Sequence, residues 1–569
     1  MTKPDRSRRI LIGAGILFVI VSVGIDQWRR RVSSPAGARK TSQITRDGGL
    51  ATDPSVSQKL LAYASDRAGA GNLDIWVRPL AGGEARRVTS GPADEHEPAL
   101  SPDGARIAYR SEEGRGVIYT MTLSGGQPTL VAEGGREPRF SPDGRRLAWW
   151  KLWDENRGEL YVAPAGGGTP VRLAATLKDA RHPVWSPDSK HILFRGAEDR
   201  RPDWYVVDAG GGRPARTGAI TVLQVQGFGG DVAPSAWTEA GVLFAGRFRD
   251  SVTVWRLSIS STFQCSRPAV QVSETPGEAP AEAAGGGVVF ATRSSKPAIW
   301  MSRNGEARAI VTEAPPAGRF TVSADGRKLL YWTAGGVRWK DLESGAEREV
   351  EGAERGHRAV LSADGGTVFY WGGGSLHAAP AAGGEGKRVC EHCGNPWSVS
   401  RDGSRLLYSI GWRRGVGLVY TATGEKRELL RQERLNIHRA LFSPDGRSML
   451  VQVSREHEPI RMYVAPFREG ASAPEKDWVA LNQGGAGERS PAWSADGKLI
   501  YYLSERDGFR CIWAQPARGG EALAVEHFHG ARRTLADPRS EDDGWLAAAA
   551  GGKLFYMVYE TTGELFWAR

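Results

Sequence analysis

One short phrase recurs along this chain and limits the fold more than any bulk property does. "EPALSPDGARIAYRS" begins at Glu97 and "EPRFSPDGRRLAWW" at Glu137. "PVWSPDSKHILF" follows at Pro183 and "ALFSPDGRSMLVQ" at Ala440. Looser copies read "TVSADGRKLLYW", "AVLSADGGTVFYW", "SVSRDGSRLLYS" and "AWSADGKLIYYL". The shared aspartates are Asp103, Asp143, Asp188, Asp325, Asp364, Asp402, Asp445 and Asp496, most of them 38 to 51 residues apart. Degenerate copies near Ser57, Glu239, Gly285 and Ala550 bring the total to about twelve.

Each unit has the same parts. A short apolar strand leads into the Asp-Gly turn, and an alternating strand leaves it. An aromatic strand follows ("DIWVRPL", "ELYVAPA", "RMYVAPF", "CIWAQPA"), then a Gly-Gly or Asn-Gly turn and a basic strand ending near Thr. Asp-Gly and Gly-Gly supply the positive φ that tight hairpins need. Four antiparallel strands per ~45 residues is the pattern of a propeller blade, whose bare face is covered by the next blade around an axis. The fold class expected is all-β: two consecutive six-bladed β-propellers preceded by one N-terminal transmembrane helix.

The chain ends set the expected partition. "TSQITRDG", before the first full unit, matches a fourth strand, while "ELFWAR", Glu564 to Arg569, is a third strand without a fourth. A further fourth strand, "EARAIVT", lies at mid-chain. The expected boundaries are therefore one propeller over 41–305 and another over 306–569, each closing on its own two ends. Seven plus five blades is the alternative.

These units resemble the TolB-type, WD40-like propeller family over residues 41–569. The resemblance specifies fold better than function. It implies one of three settings: periplasmic proteins that bind partner proteins, the propeller half of prolyl-oligopeptidase-like peptidases, or the C-terminal sensory regions of single-span bacterial kinases and winged-helix regulators.

The net charge of +10 invites an acidic partner until it is located. Residues 1–40 hold nine Lys and Arg against Asp5 and Asp26, so most of the excess sits there and nucleic acid is not an expected partner. Between those basic clusters runs "ILIGAGILFVIVSVGI", Ile10 to Ile25. With its flank it is read as a signal anchor over 10–28, after a tail at 1–9 and before a linker at 29–40. A cleaved signal peptide, cut near Ser22-Val23-Gly24, is the alternative. Either places the propellers in the periplasm or cell exterior.

Motifs for chemistry are sparse. Gly373-Gly374-Ser375-Leu376-His377 lacks the last Gly of a nucleophile elbow, and Arg388 ends "GGEGKR" where a phosphate loop needs Ser or Thr. Polar residues do recur seven positions before the marker aspartate: His96, Arg136, His357, Asn395, His438 and Arg489, with His182 one step off. They open the innermost strand of each blade and are candidates to ring a channel mouth, against ordinary hydrogen bonding to inter-blade loops. Cys390-Glu391-His392-Cys393 falls in an inter-blade loop. A local Cys390–Cys393 disulfide, two free thiols, and metal or redox chemistry remain open there. The functional expectation is a membrane-anchored binding, scaffold or sensory module for a protein or small ligand, with no catalytic residue, metal or cofactor assigned. The alternative is a hydrolase or lyase at a channel mouth, which paired carboxylates with histidine at one mouth would favour. An apolar or arginine-rich mouth would favour binding.

Overall fold

The computed structural model describes residues 40–569 apart from short internal stretches, the longest being 536–545, 313–318 and 482–487. The tail and anchor expected over 1–28, and the linker expected over 29–40 except Lys40, lie outside the described residues. No described helix is long and apolar enough to cross a membrane.

The recurring phrase builds a turn that supplies its own hydrogen bonds. Ser101 Oγ donates to Asp103 Oδ1 (2.6 Å), and Asp103 Oδ1 accepts from the Ala105 N–H (3.0 Å). The Arg106 N–H donates back to Ser101 Oγ (2.8 Å). Gly104 sits at φ 70°, a conformation that favours glycine. The same Ser–Asp pairing recurs at Ser141/Asp143, Ser323/Asp325 and Ser443/Asp445. Each turn joins a short inner strand to a buried second strand such as Arg106–Ser111.

Twelve small antiparallel sheets of four or five strands result among the described residues. They divide into two units of six. In one, the inner strands Ala51–Val56, Glu95–Leu100, Gly135–Phe140, Asp179–Trp185, Ala236–Thr238 and Glu278–Glu282 pack each on the next, and the last packs on the first. That closed cycle is a β-propeller, and its apolar core lies between blades: Trp149 and Leu147 pack with Ala99 and Ala108 of the preceding sheet. The other unit runs through the inner strands Phe320–Val322, Ala359–Leu361, Pro396–Val399, Asn436–Phe442, Arg489–Trp493 and Leu546–Ala549.

The partition differs from the consecutive one expected. The first ring comprises the described residues up to Arg293 together with Thr562–Arg569, and the second comprises Ser294–Thr561. The N-terminal strand Thr41–Gln43 pairs with the C-terminal strand Leu565–Ala568, which pairs in turn with Val288–Ala291. "EARAIV" (Glu306–Val311) pairs with Ser294–Arg303 inside the second ring. The surplus fourth strand and the orphan third strand thus satisfy each other in one blade. The boundary is not 305/306 because residues 294–561, the second ring, lie in sequence between Val288–Ala291 and Leu565–Ala568, two paired strands of one blade of the first.

Candidate active site

In the first ring the inner strands share an irregularity. The register with the second strand shifts between Thr52 and Ser55, His96 and Ala99, Arg136 and Arg139, Arg181 and Val184, and Glu278 and Ala281. Each bulge contains a residue followed by proline, whose missing N–H suits a break in the ladder. The residues before proline are Asp53, Glu97, Glu137, His182 and Ala279, with φ between 47° and 55°. Left-handed backbone at a run of non-glycine residues is costly, and its concentration here marks a candidate site.

The bulges aim four polar side chains along the arc formed by the first four blades. The Glu97 N–H donates to Asp53 Oδ2 (3.3 Å), and the Glu137 N–H donates to Glu97 Oε2 (2.6 Å). His182 Nδ1 bonds Glu137 Oε1 at 2.8 Å. His96 joins from the second blade: Nε2 lies 2.6 Å from Glu112 Oε1, and Nδ1 lies 3.8 Å from Asp53 and 4.0 Å from Glu97. Behind it the buried Arg110 holds Glu112 with two hydrogen bonds (2.7 and 2.9 Å) and donates to the Gly135 carbonyl (3.0 Å). Gly116 leaves the space this guanidinium needs, since a Cβ there would stand 2.3 Å from Arg110 Nη2.

These surroundings pull the carboxyl groups apart in proton affinity. Burial raises Glu97, and the neighbouring Glu137 charge adds to that. Burial also works upward on Glu137, but the charge and hydrogen bond of His182 bring it below the ordinary range. Asp53 is likewise lowered, because His96 outweighs burial. His96 itself is pushed up to about 10: burial opposes its charge, and Asp53 and Glu112 overcome that opposition. Neighbouring carboxyls with split affinities can act as acid and base in one reaction. The two histidines are raised and so favour the cationic form.

The residues expected to ring a mouth separate into groups. His96 and His182 meet in this cluster, and Arg136 stacks over Trp150 beside it at 5.7 Å. In the second ring the Asn395 N–H donates to Ser409 Oγ (2.9 Å). His438 is buried with Nε2 2.8 Å from Ser454 Oγ. Arg489 opens the strand Arg489–Trp493, and His357 lies outside the described residues. Glu97 and Glu137 are six positions before the marker aspartate, not seven, and Asp53 is six before Lys59, which holds the marker's place in a degenerate copy. His182, the exception to the sevenfold pattern, gives the right register, and the following proline is the signal that finds Glu97, Glu137 and Asp53. Glu112 and Arg110 sit on the second strand and carry no comparable signal. Elsewhere, Cys390 and Cys393 form a disulfide with Cα atoms 6.1 Å apart.

No family model matches the chain. Over 117 residues it is 29% identical to dipeptidyl-peptidase 5 of Porphyromonas gingivalis, covering 17% of each chain. Over 107 residues it is 32% identical to the uncharacterized peptidase YuxL of Bacillus subtilis, covering 17% of this chain and 16% of that one. Over 499 residues it is 24% identical to tricorn protease homolog 1 of Streptomyces coelicolor, covering 76% of this chain and 43% of that one. The chain thus spans less than half the length of each of these relatives. Among solved structures, a putative TolB from Agrobacterium tumefaciens matches 47% of this chain and 99% of its own, at 16% identity and a TM-score of 0.38. The three curated relatives are named as peptidases, which overturns the expectation of binding without catalysis and favours the alternative, an enzyme. None of the three carries the name of a kinase or winged-helix regulator.

Proposed function

We propose that this chain is a hydrolytic enzyme acting on peptides, with its reacting groups on the bulged inner strands of the first propeller. The observation that carries the reading is the pair of adjacent carboxyls, Glu97 raised and Glu137 lowered, linked through the Glu137 N–H. The peptidase names of the curated relatives support the choice of substrate class.

The division of labour follows from proton affinity. Glu137, or Asp53 on the other side of Glu97, accepts a proton from water as that water attacks the peptide carbonyl. Glu97 in its protonated form gives its proton to the departing nitrogen. The C–N bond breaks, and the products are a carboxylic acid and an amine. The cationic His96, braced by Glu112, stabilises negative charge developing on the carbonyl oxygen. Removing a general acid or base typically costs ~10²–10⁴ in rate.

The test is turnover of a fluorogenic peptide library by the full chain between pH 5 and 8. Glu97→Gln and Glu137→Gln are each expected to lower kcat by about 100-fold or more while folding is retained. A wild-type chain that cleaves no peptide, or cleavage untouched by both substitutions, would sink the reading.

A further inference from the structure

One blade of the second ring departs from the pattern of the others. At mid-blade a second-strand residue usually faces a large partner on the third strand. His377 stands opposite Tyr370, Tyr463 opposite Val451 and Trp513 opposite Tyr502. In the blade of Pro396–Val399 the residue opposite Tyr408 is Gly417. A Cβ at 417 would stand 2.3 Å from Tyr408 Cζ, so the glycine lets the phenol lie across the third strand. Glu428 pairs with Gly417 from the other side. Tyr408 and Glu428 line a cleft of 540 Å³, together with Trp371 and Gly374 of the preceding blade and the loop 392–395.

Four side chains on this wall are left without partners. The Tyr408 ring packs with Phe369, Leu376 and Cys390, and the residue is 6% exposed. Its hydroxyl nevertheless has no hydrogen-bond partner among the described residues. Burial, and then the Glu428 charge, raise the phenol, so it stays protonated and can both donate and accept. The Asn395 amide, the His392 imidazole and the Trp371 indole N–H also make no hydrogen bond among the described residues. The loop that carries two of these groups is held in place. The Cys390–Cys393 disulfide closes it, the His392 N–H donates to the Gly374 carbonyl (3.2 Å), and the Asn395 N–H donates to Ser409 Oγ (2.9 Å). His392 has φ 56°, a left-handed backbone that non-glycine residues keep where the surroundings impose it, as they do at ligand clamps.

The charged groups on the wall are engaged already. Lys426 Nζ donates to the Glu391 carbonyl (3.0 Å), and Arg427 donates twice to Glu425 Oε1 (3.2 and 3.0 Å). Arg431 holds both oxygens of Glu428 (2.9 and 2.8 Å). A charged ligand would compete with these pairs, whereas an uncharged one can bond the free groups and break nothing. The phenol and the amide each donate and accept, as a ligand hydroxyl does. The half-buried indole of Trp371 offers an apolar face with a polar edge. That suits a ring with C–H groups on its face and hydroxyls round its rim. A peptide docks instead by backbone pairing on a strand edge or by apolar side chains in pockets.

We propose that this inter-blade cleft of the second propeller binds a neutral sugar unit. The sugar ring lies on Trp371, and its hydroxyls bond Tyr408, Asn395 and His392. The site is separate from the carboxyl cluster of the first ring, and the proposal does not depend on that cluster being catalytic.

The experiment is binding of the full chain to an array of neutral and acidic oligosaccharides. Calorimetric titration follows, with the strongest neutral ligand and with acetyl-trialanine amide. Neutral oligosaccharides are expected to bind more tightly than acidic ones, and the peptide amide not at all. Tyr408→Phe and Asn395→Ala each remove one polar group and should weaken binding about three- to tenfold. Gly417→Tyr restores the bulk found in the other blades and should abolish binding, with folding checked by circular dichroism. If that variant does not fold, the two polar substitutions carry the test. Three results would overturn the proposal: no neutral oligosaccharide bound, acidic oligosaccharides or the peptide amide bound in preference, or binding unmoved by both Tyr408→Phe and Asn395→Ala.

Discussion

At the scale of single residues, His96 and Glu95 are adjacent in sequence and opposite in electrostatic character. His96 has its affinity for a proton raised from 6.5 to about 10. Its stabilising contribution is therefore complete below about 6.5 and lost as pH rises through about 10. Glu112 is lowered from 4.5 to about 2, because hydrogen bonds from His96 and Arg110 outweigh its burial, so its contribution is lost only as pH falls through that value. Glu112→Gln should bring the His96 titration down by one unit or more, read from imidazole chemical shifts against pH. An unmoved titration would mean that Asp53 and Glu97 alone set it. Glu95 behaves in the reverse sense. Burial, then the charges of Asp74, Asp94 and Glu113, raises it to about 7 against the pull of a hydrogen bond from Thr89. Its Oε2 has no hydrogen-bond partner. A raised carboxyl is best tolerated protonated, so it costs stability increasingly as pH climbs from about 4.5 through about 7. Glu95→Gln is predicted to raise the melting temperature at pH 8 and to leave it little changed at pH 5. Equal effects at both values would exclude a titrating Glu95.

At the scale of elements, the Ser-x-Asp-Gly turn is where sequence and structure meet most directly. Ser443 Oγ donates to Asp445 Oδ1 (2.6 Å) and accepts from the Ser448 N–H (2.9 Å). Ser443→Ala removes both contacts in a largely buried turn and is expected to cost about 1–3 kcal/mol in denaturant unfolding. A loss below the scatter of surface substitutions would show that water replaces the hydroxyl. The loop at Cys390 and Cys393 makes a second prediction. Alkylation of the native chain under non-reducing conditions should label neither, and reduction should expose both to mass tagging. Cys265 and Cys511 are buried, and burial pushes the Cys265 thiol up to about 11, so both should resist labelling until the chain unfolds. Immediate labelling of Cys390 would argue for free thiols. The blades were legible because the turn chemistry repeats at nearly fixed spacing. The candidate site was only half legible. His96 and His182 stood out as rare residues near strand starts, but the bulge moves the site-facing position one residue onward, to Glu97 and Glu137. Acidic residues near turns look like solvent-facing charge until the left-handed backbone and the circumferential bonds are known. Arg110 was hidden for another reason: an alternating strand reads the same whether its arginine faces water or, as here, is buried against Glu112.

At the scale of the whole molecule, strand type was readable and strand partnership was not. "TSQ" and "LFWA" had the character of fourth and third strands, yet two nearly equal halves also accommodate them as ends of separate rings. Pairing of Thr41 with Ala568 joins residues at opposite ends of the chain, and no local pattern encodes that contact. The topology makes the two rings unequal in their dependence on the chain ends. The second ring has its described strands between Ser294 and Thr562, closed by Ser294–Arg303 running beside Lys553–Thr562. The first ring needs Leu565–Ala568 to fill its closing blade between Thr41–Gln43 and Val288–Ala291. Without that strand Val289 and Phe290, both fully buried, lose the partner on one edge, and a row of backbone donors and acceptors is left unpaired. A fragment of residues 294–561 is therefore predicted to unfold in one cooperative step by circular dichroism. The chain cut after Thr561 should keep that transition and lose the one belonging to the first ring. It should also lose the raised His96 titration, since Asp53 stands in the blade next to the closing one. A first ring that survives the truncation intact would show that strand pairing at the closing blade is dispensable and that packing between blades alone holds the ring.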